Sequence, residues 1–189
     1  MNAFDNGFGL ETDIRDHNRK IVISHDPPTD GSIAISEMEK HFLAADRDGK
    51  PIALNVKSDG IADLLDSAPF LRSLSNAFFF DMSVPQMMVF EKHSLAFFTR
   101  ISEVENEPSL YDVAAGVWID QFYRDWADAE TILRCTIDGK LVCIVSPELH
   151  GRDYRPYWEY LGQLHEQGQL DDRAMLCTDY PEQARDLFT

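Results

Sequence analysis

The chain has 189 residues, and 17 Lys and Arg against 33 Asp and Glu leave a formal charge of −16. A hydrophobic share of 44% suits a folded core and excludes disorder, while the negative balance argues against nucleic acid or an anionic membrane surface as the main partner. No apolar stretch approaches the roughly 18 residues of a spanning helix, and the opening Met1-Asn2-Ala3-Phe4 lacks the basic-then-apolar pattern of a secretory signal. Cys135, Cys143 and Cys177 suggest neither a disulfide framework nor a zinc cluster. The expectation is a single soluble, cytoplasmic domain over residues 1–189.

Apolar runs at 8–14, 21–24, 52–56, 77–80, 95–99, 115–119, 141–145 and 173–178 read as strands, several apolar enough to be covered on both faces. Helical faces lie between them. Ser36-Glu37-Met38-Glu39 reads as a capping box ahead of Met38, Phe42 and Ala45. Ile61, Leu64, Leu65 and Ala68 form a second face that Pro69 must end. Ser83 can cap a third helix with Pro85 in its first turn. Ala129, Ile132 and Leu133, then Tyr157, Tyr160, Leu161 and Leu164, mark two more. The 21–24 run follows its predecessor too closely for a crossover helix, so it is expected as a local extension, leaving seven main strands. Strand–helix alternation of this kind gives either an open doubly wound sheet or a closed (β/α) barrel.

Polar residues stand where the runs stop: Glu11-Thr12-Asp13-Ile14-Arg15, His25-Asp26, Asn55-Val56-Lys57, Asp81, Thr99-Arg100, Asp120, Ser146-Pro147-Glu148-Leu149-His150 and Thr178-Asp179. Functional groups at every strand end favour a TIM-type barrel, which gathers all its strand ends around one mouth. Residues two apart on a strand share a face, so Glu11 and Asp13 point the same way, as do Asn55 and Lys57. Two such carboxylates repel unless a cation or a proton sits between them, and a hard ion such as Mg²⁺ or Ca²⁺ would resolve the repulsion. The plainer alternative is a solvated edge, or a carboxylate paired with Arg15. Lys57, Arg100 and Arg152 add cations suited to a phosphate. His25 and His150 fall at strand ends, where a histidine can move a proton, and Asp26 can fix the tautomer of His25. His17, His41, His93 and His165 read as surface residues.

Gly9-Leu10-Glu11-Thr12-Asp13-Ile14-Arg15 followed by Ile23-Ser24-His25-Asp26 resembles the glycerophosphodiester phosphodiesterase family, metal-dependent TIM barrels of the phosphatidylinositol phospholipase C-like superfamily. Cys177-Thr178-Asp179-Tyr180-Pro181-Glu182 is similar to the family's last strand. The resemblance implies a divalent cation on Glu11 and Asp13, acid–base catalysis by His25, and a small phosphodiester substrate. Lys57 joins His25 as a catalytic candidate. Arg15, Asn55, Arg100, Glu148, His150 and Arg152 are expected to contact substrate. Two departures stand out. The family opens with a His-Arg-Gly strand, of which Met1-Asn2-Ala3-Phe4 resembles only the following helix, in line with seven strands rather than eight. The family's third metal ligand is a Glu in Glu-x-Lys, and here Asn55 occupies that place. A barrel lacking a strand would expose edges and self-associate through them. The leading function is metal-dependent phosphodiester hydrolysis. The alternative is an impaired or inactive barrel that binds a phosphorylated ligand or partner.

Overall fold

The computed structural model describes residues 6–188, so the opening Met1-Asn2-Ala3-Phe4 lies outside the described residues. The chain divides into two compact units, the first ending at Phe98 and the second beginning at Thr99. Among the described residues, no helix is long and apolar enough to cross a membrane.

The first unit is built on a five-stranded sheet. Strand β1 (Leu10–His17) turns through Asn18 and Arg19, both at positive φ (49° and 61°), into the antiparallel β2 (Lys20–Ile23). Two consecutive left-handed residues make the tight hairpin whose twist matches that of its strands. A two-residue β3 (Ile33–Ala34) extends the hairpin, which is the local extension expected of the 21–24 run, with one strand more than the sequence suggested. On its other side β1 runs parallel to β4 (Ile52–Val56), and β4 runs parallel to β5 (Ala77–Phe80), giving the order β3-β2-β1-β4-β5. Every residue of β4 and β5 is buried, as their near-continuous apolar sequence requires.

Register decides which residues share a face. Asp13 lies opposite Asn55, which lies opposite Phe80, while Leu54 lies opposite Phe79. Phe79 packs edge-on against Phe90 of helix α2 (Val84–Lys92), at 4.8 Å between ring centres, so Leu54 and Phe79 face that helix. Glu11, Asp13, Asn55 and Phe80 therefore project from the opposite face. Helix α2 (Val84–Lys92) begins as expected, with Ser83 Oγ accepting the Gln86 N–H at 3.3 Å and Pro85 in the first turn.

Two expectations shift in position or type. Glu37 accepts the Ala34 N–H at 3.1 Å, one half of a capping box since Ala34 has no side-chain acceptor, and this opens a 3₁₀ turn, Ile35–Met38, two residues earlier than Ser36. Helix α1 (Glu39–Arg47) follows, with Phe42 and Ala45 buried. The apolar face at 61–68 forms a 3₁₀ segment, Ile61–Ser67, instead of an α-helix. Pro69 drives Ala68 out of the helical region (φ −145°, ψ 65°) and ends the segment there. Ile61 and Leu65 still bury completely.

A second sheet has the order β6-β7-β8-β9, with β6 (Phe98–Ile101), β7 (Gly116–Ile119), β8 (Leu141–Val145) and β9 (Ala174–Cys177), and β7, β8 and β9 run parallel. Val117 and Ile119 align with Val142 and Ile144 and share a core with Ile132 and Cys135 of α3 (Ala129–Ile137) and Tyr157, Leu161 and Leu164 of α4 (Arg155–Glu166). Asp128 caps α3 by accepting the Thr131 N–H at 2.9 Å. A last helix, α5 (Pro181–Leu187), closes the described chain. Gln121, fully buried, accepts from the Trp126 and Ala127 amides at 3.0 and 3.1 Å and fixes the loop after β7.

Gly9 shows how β1 is seated. A Cβ placed there would lie 2.5 Å from the Pro51 carbonyl oxygen, beside the Leu10 N–H to Pro51 bond of 3.0 Å that starts the β1–β4 ladder. Gly9→Ala is expected to destabilise the protein by about 1–3 kcal/mol, the usual cost of forcing atoms into a filled space. Urea denaturation measures this directly, and an unchanged midpoint would show that the close approach is not required.

Candidate functional site

The strongest constellation lies on the sheet face of the first unit away from α2, at the C-terminal ends of β1, β4 and β5. Lys57 Nζ stands 3.4 Å from Asp13 Oδ1 and 3.7 Å from Asp81 Oδ2. Glu11 belongs to the same group: it takes a hydrogen bond from the Asn55 amide and feels the charges of Asp13, Lys57 and Asp81. Glu11, Asp13, Asn55 and Lys57, chosen from sequence as metal, substrate and catalytic candidates, thus meet in one place.

Asp81 is the member that sequence reading passed over. It follows β5 with φ at +63°, a left-handed conformation that Asp tolerates better than most residues and that usually signals a site. Its place at a strand end was visible in the sequence. Its partnership with Lys57, 24 positions earlier, was not.

The electrostatics follow from the count of charges. Three carboxyl groups share one ammonium, and Lys57 reaches its partners at the long end of ion-pair range. Desolvation, then the neighbouring Asp13 charge, pushes the Glu11 carboxyl up from an ordinary 4.5 to about 7, against the opposing Asn55 hydrogen bond and Lys57 charge. Glu11 is itself an exposed residue of β1, so water screens much of this effect.

Oxygen donors suited to a hard cation are present in Glu11, Asp13 and the Asn55 amide. Asn55 is nearly buried and its Oδ1 has no hydrogen-bond partner among the described residues, so an acceptor is left over where the carboxylates gather. No group of three or more His, Cys, Asp and Glu side chains among the described residues is placed to hold a metal, so Asn55 would have to be the third donor. The residues fit a cation such as Mg²⁺ or Ca²⁺, with one negative charge fewer than three carboxylates would bring.

Among the described residues, Arg15 forms no ion pair with the carboxylates. Its Nε donates to the His25 carbonyl and its Nη1 to the Lys57 carbonyl, both at 3.0 Å, so it ties the hairpin to the end of β4. His25 itself is 75% exposed, with Nδ1 at 3.0 Å from Asp26 Oδ1, the neighbour expected to orient it.

The remaining candidates lie in the second unit, each held by bonds within it. Arg100 pairs with Glu105 and sets its guanidinium 5.8 Å from the centre of the Phe122 ring. Glu148 accepts from the Ser146 and Thr178 hydroxyls and from the Asp179 N–H at 3.2 Å. His150 Nε2 meets Asp120 Oδ1 at 2.6 Å. Arg152 pairs with Asp125 and donates to the Gln121 carbonyl at 2.8 Å.

No protein-family model matches the sequence, and no curated protein is similar to it. Solved structures do match. The glycerophosphodiester phosphodiesterase from Agrobacterium tumefaciens str. C58 aligns with a TM-score of 0.57 at 15% identity, over 98% of this chain and 89% of that one. The putative glycerophosphoryl diester phosphodiesterase from Silicibacter pomeroyi DSS-3 aligns with a TM-score of 0.64 at 11% identity, over 98% and 84%. At such identities the likeness is one of fold.

The crowding at Glu11 makes a pH prediction. Between about 4.5 and about 7 the folded protein holds a proton that the unfolded chain has released, so stability falls as pH rises through that window and levels off above it. Glu11→Gln should flatten this slope in urea titrations run across the window. Parallel curves for the two proteins would show that Glu11 is not the strained group. The α/β fold of this chain is that of the two solved glycerophosphodiester phosphodiesterases.

Proposed function

We propose that the chain is a phosphodiester hydrolase of the glycerophosphodiester phosphodiesterase kind, with a TIM-type barrel as its architecture. The observation that carries this reading is the meeting of Glu11, Asp13, Asn55, Lys57 and Asp81 at one set of strand ends, on a fold shared with phosphodiesterases. A phosphodiester carries one negative charge that must be bound, and its negative charge grows as the bond breaks.

Glu11, Asp13 and the Asn55 oxygen would hold the divalent cation. When bound, that ion polarises the phosphoryl oxygens and lessens the repulsion among the carboxylates. Lys57 binds a phosphate oxygen. It can do so because its ammonium is shared between Asp13 and Asp81 at 3.4 and 3.7 Å, leaving it without a tight single partner. Arg15 positions Lys57 and His25 through their carbonyls. His25 gives its proton to the departing alcohol oxygen, with Asp26 holding its other ring nitrogen. In the second unit Arg100, Glu148, His150 and Arg152 are the proposed substrate contacts. Cytoplasmic residence and a small phosphodiester partner complete the reading.

Two measurements test it together. Hydrolysis of bis(p-nitrophenyl) phosphate, assayed with Mg²⁺ or Ca²⁺, should fall about 100-fold or more in Lys57→Met, the usual cost of losing one charged group aimed at the reacting centre. Calorimetric titration should show cation binding that Asp13→Ala removes. Absence of turnover in the wild type, or equal cation binding in both proteins, would contradict the assignment.

A further inference from the structure

Among the described residues, three buried side-chain polar atoms have no hydrogen-bond partner: Asn55 Oδ1, Gln86 Nε2 and Arg152 Nε. Asn55 belongs to the carboxylate group of the first unit, and Arg152 is held through its other nitrogens by Asp125 and the Gln121 carbonyl. Gln86 has neither explanation. It lies in the first turn of α2, is 5% exposed, and its Oε1 accepts the Gly60 N–H at 2.6 Å. An apolar side chain of equal length would fill the same space without stranding an amide donor. Packing therefore does not account for the amide, and the bond to Gly60 does.

We propose that Gln86 is a positioning residue for Lys57, holding the loop 57–60 against the start of α2 so that the Lys57 ammonium stays between Asp13 and Asp81 to meet the phosphate. That use of Lys57 rests on the hydrolase reading above. The hold on the loop rests on hydrogen bonds within the first unit. Four consecutive residues leave β4, and each is tied to a neighbouring segment. On the β1 side, the Lys57 N–H donates to the Ile14 carbonyl at 3.0 Å, the Lys57 carbonyl accepts from Arg15, and Ser58 Oγ accepts the Asp16 N–H at 3.1 Å. On the α2 side, Asp59 Oδ1 accepts from Ser83 Oγ at 2.8 Å, and the Gly60 N–H goes to Gln86. Ser83 is itself fixed, because its Oγ also accepts the Gln86 N–H.

The two grips do different work. The β1 bonds fix where the Lys57 backbone starts, beside Asp13. The α2 bonds set its approach to Asp81. Lys57 stands two residues before Asp59, and Asp81 two residues before Ser83, so both partners of the 3.7 Å contact are carried by segments that Gln86 and Ser83 join. Gly60, at φ +89°, turns the chain into the Ile61–Ser67 segment at the point of the tie. Without that tie the loop is free to swing away from α2, and the ammonium can close on Asp13 alone. A charge spent on one carboxylate is withdrawn from the phosphate. Misplacing a group aimed at the reacting atoms by about 1 Å costs up to about 100-fold in rate.

The test compares wild type with three variants. Gln86→Met keeps the length and removes the acceptor, Gln86→Glu keeps the acceptor, and Asp59→Ala is an exposed change that cuts the Ser83 tie alone. On bis(p-nitrophenyl) phosphate, Gln86→Met should lower kcat about 10-fold with KM nearly unchanged, because the charge that Lys57 meets grows in the transition state. Gln86→Glu should restore most of the wild-type kcat, which a packing role would not allow, and Asp59→Ala should fall between. NMR relaxation of protein carrying isotope-labelled lysine reads the hold without reference to activity. The Lys57 ε-methylene should be ordered in wild type and mobile in Gln86→Met and Asp59→Ala, with exposed Lys92 marking the mobile limit. Full kcat in Gln86→Met, an equal loss in Gln86→Glu, or equal order at Lys57 in wild type and Gln86→Met would overturn the proposal and leave the hydrolase reading standing. If Gln86→Met does not fold, wild-type kcat and wild-type order in Asp59→Ala would overturn it. A wild type that hydrolyses nothing would overturn the hydrolase reading instead, and the relaxation of Lys57 would then decide whether Gln86 holds it.

Discussion

Pairing Asp13 with Asn55 across β1 and β4 is the constraint on which the first unit turns. It sends Ile14, Leu54 and Phe79 to the helix-covered face and Glu11, Asp13 and Asn55 to the other. A slip of one residue between β1 and β4 would exchange the two sets and put the carboxylates under α2. The site is therefore specified by the same hydrophobic burial that folds the sheet. Gly9 against Pro51 sets where the ladder begins, and Arg15 ties down its far end through two carbonyls.

Once the register is set, crowding is unavoidable. Glu11 and Asp13 must share a face, β5 delivers Asp81 beside them, and among the described residues Lys57 is the ammonium that meets them. A structural ion pair would be expected to close to contact distance around a single partner. Here the ammonium spans two carboxylates loosely, desolvation and the Asp13 charge push a third carboxyl up, and among the described residues the Asn55 Oδ1 is left without a hydrogen-bond partner. Each is a local cost, and one added positive charge among these oxygens would relieve all three.

The second unit follows the same logic by itself. Val117, Ile119, Val142 and Ile144 turn toward α3 and α4, and Asp120, one residue past β7, falls on the alternate side. Much of this was readable from sequence. Near-continuous apolar runs marked β4, β5, β7 and β8, the Ser83-Val84-Pro85 start marked α2, and a two-residue spacing put Glu11 and Asp13 on one face. What could not be read depends on distant partners. Asp81 meets Lys57, and His150 meets Asp120, across 24 and 30 positions that no local pattern connects. Arg15 was weighed as a carboxylate's partner because it is close in sequence, yet strand geometry aims it at carbonyls. The 61–68 segment had the apolar face of an α-helix but forms a 3₁₀ segment that ends where Pro69 pulls Ala68 out of the helical region.

The central proposal is that the oxygens of Glu11, Asp13 and Asn55 would hold a divalent cation. Anomalous diffraction from crystals soaked in Mn²⁺ tests this most directly, because the ion substitutes for Mg²⁺ and is located without reference to activity. The account predicts one strong peak at coordination distance from Glu11 and Asp13, with the Asn55 oxygen in the same sphere. A crystal that takes up no Mn²⁺ there, while Lys57 closes onto Asp13 as a tight ion pair, would contradict it.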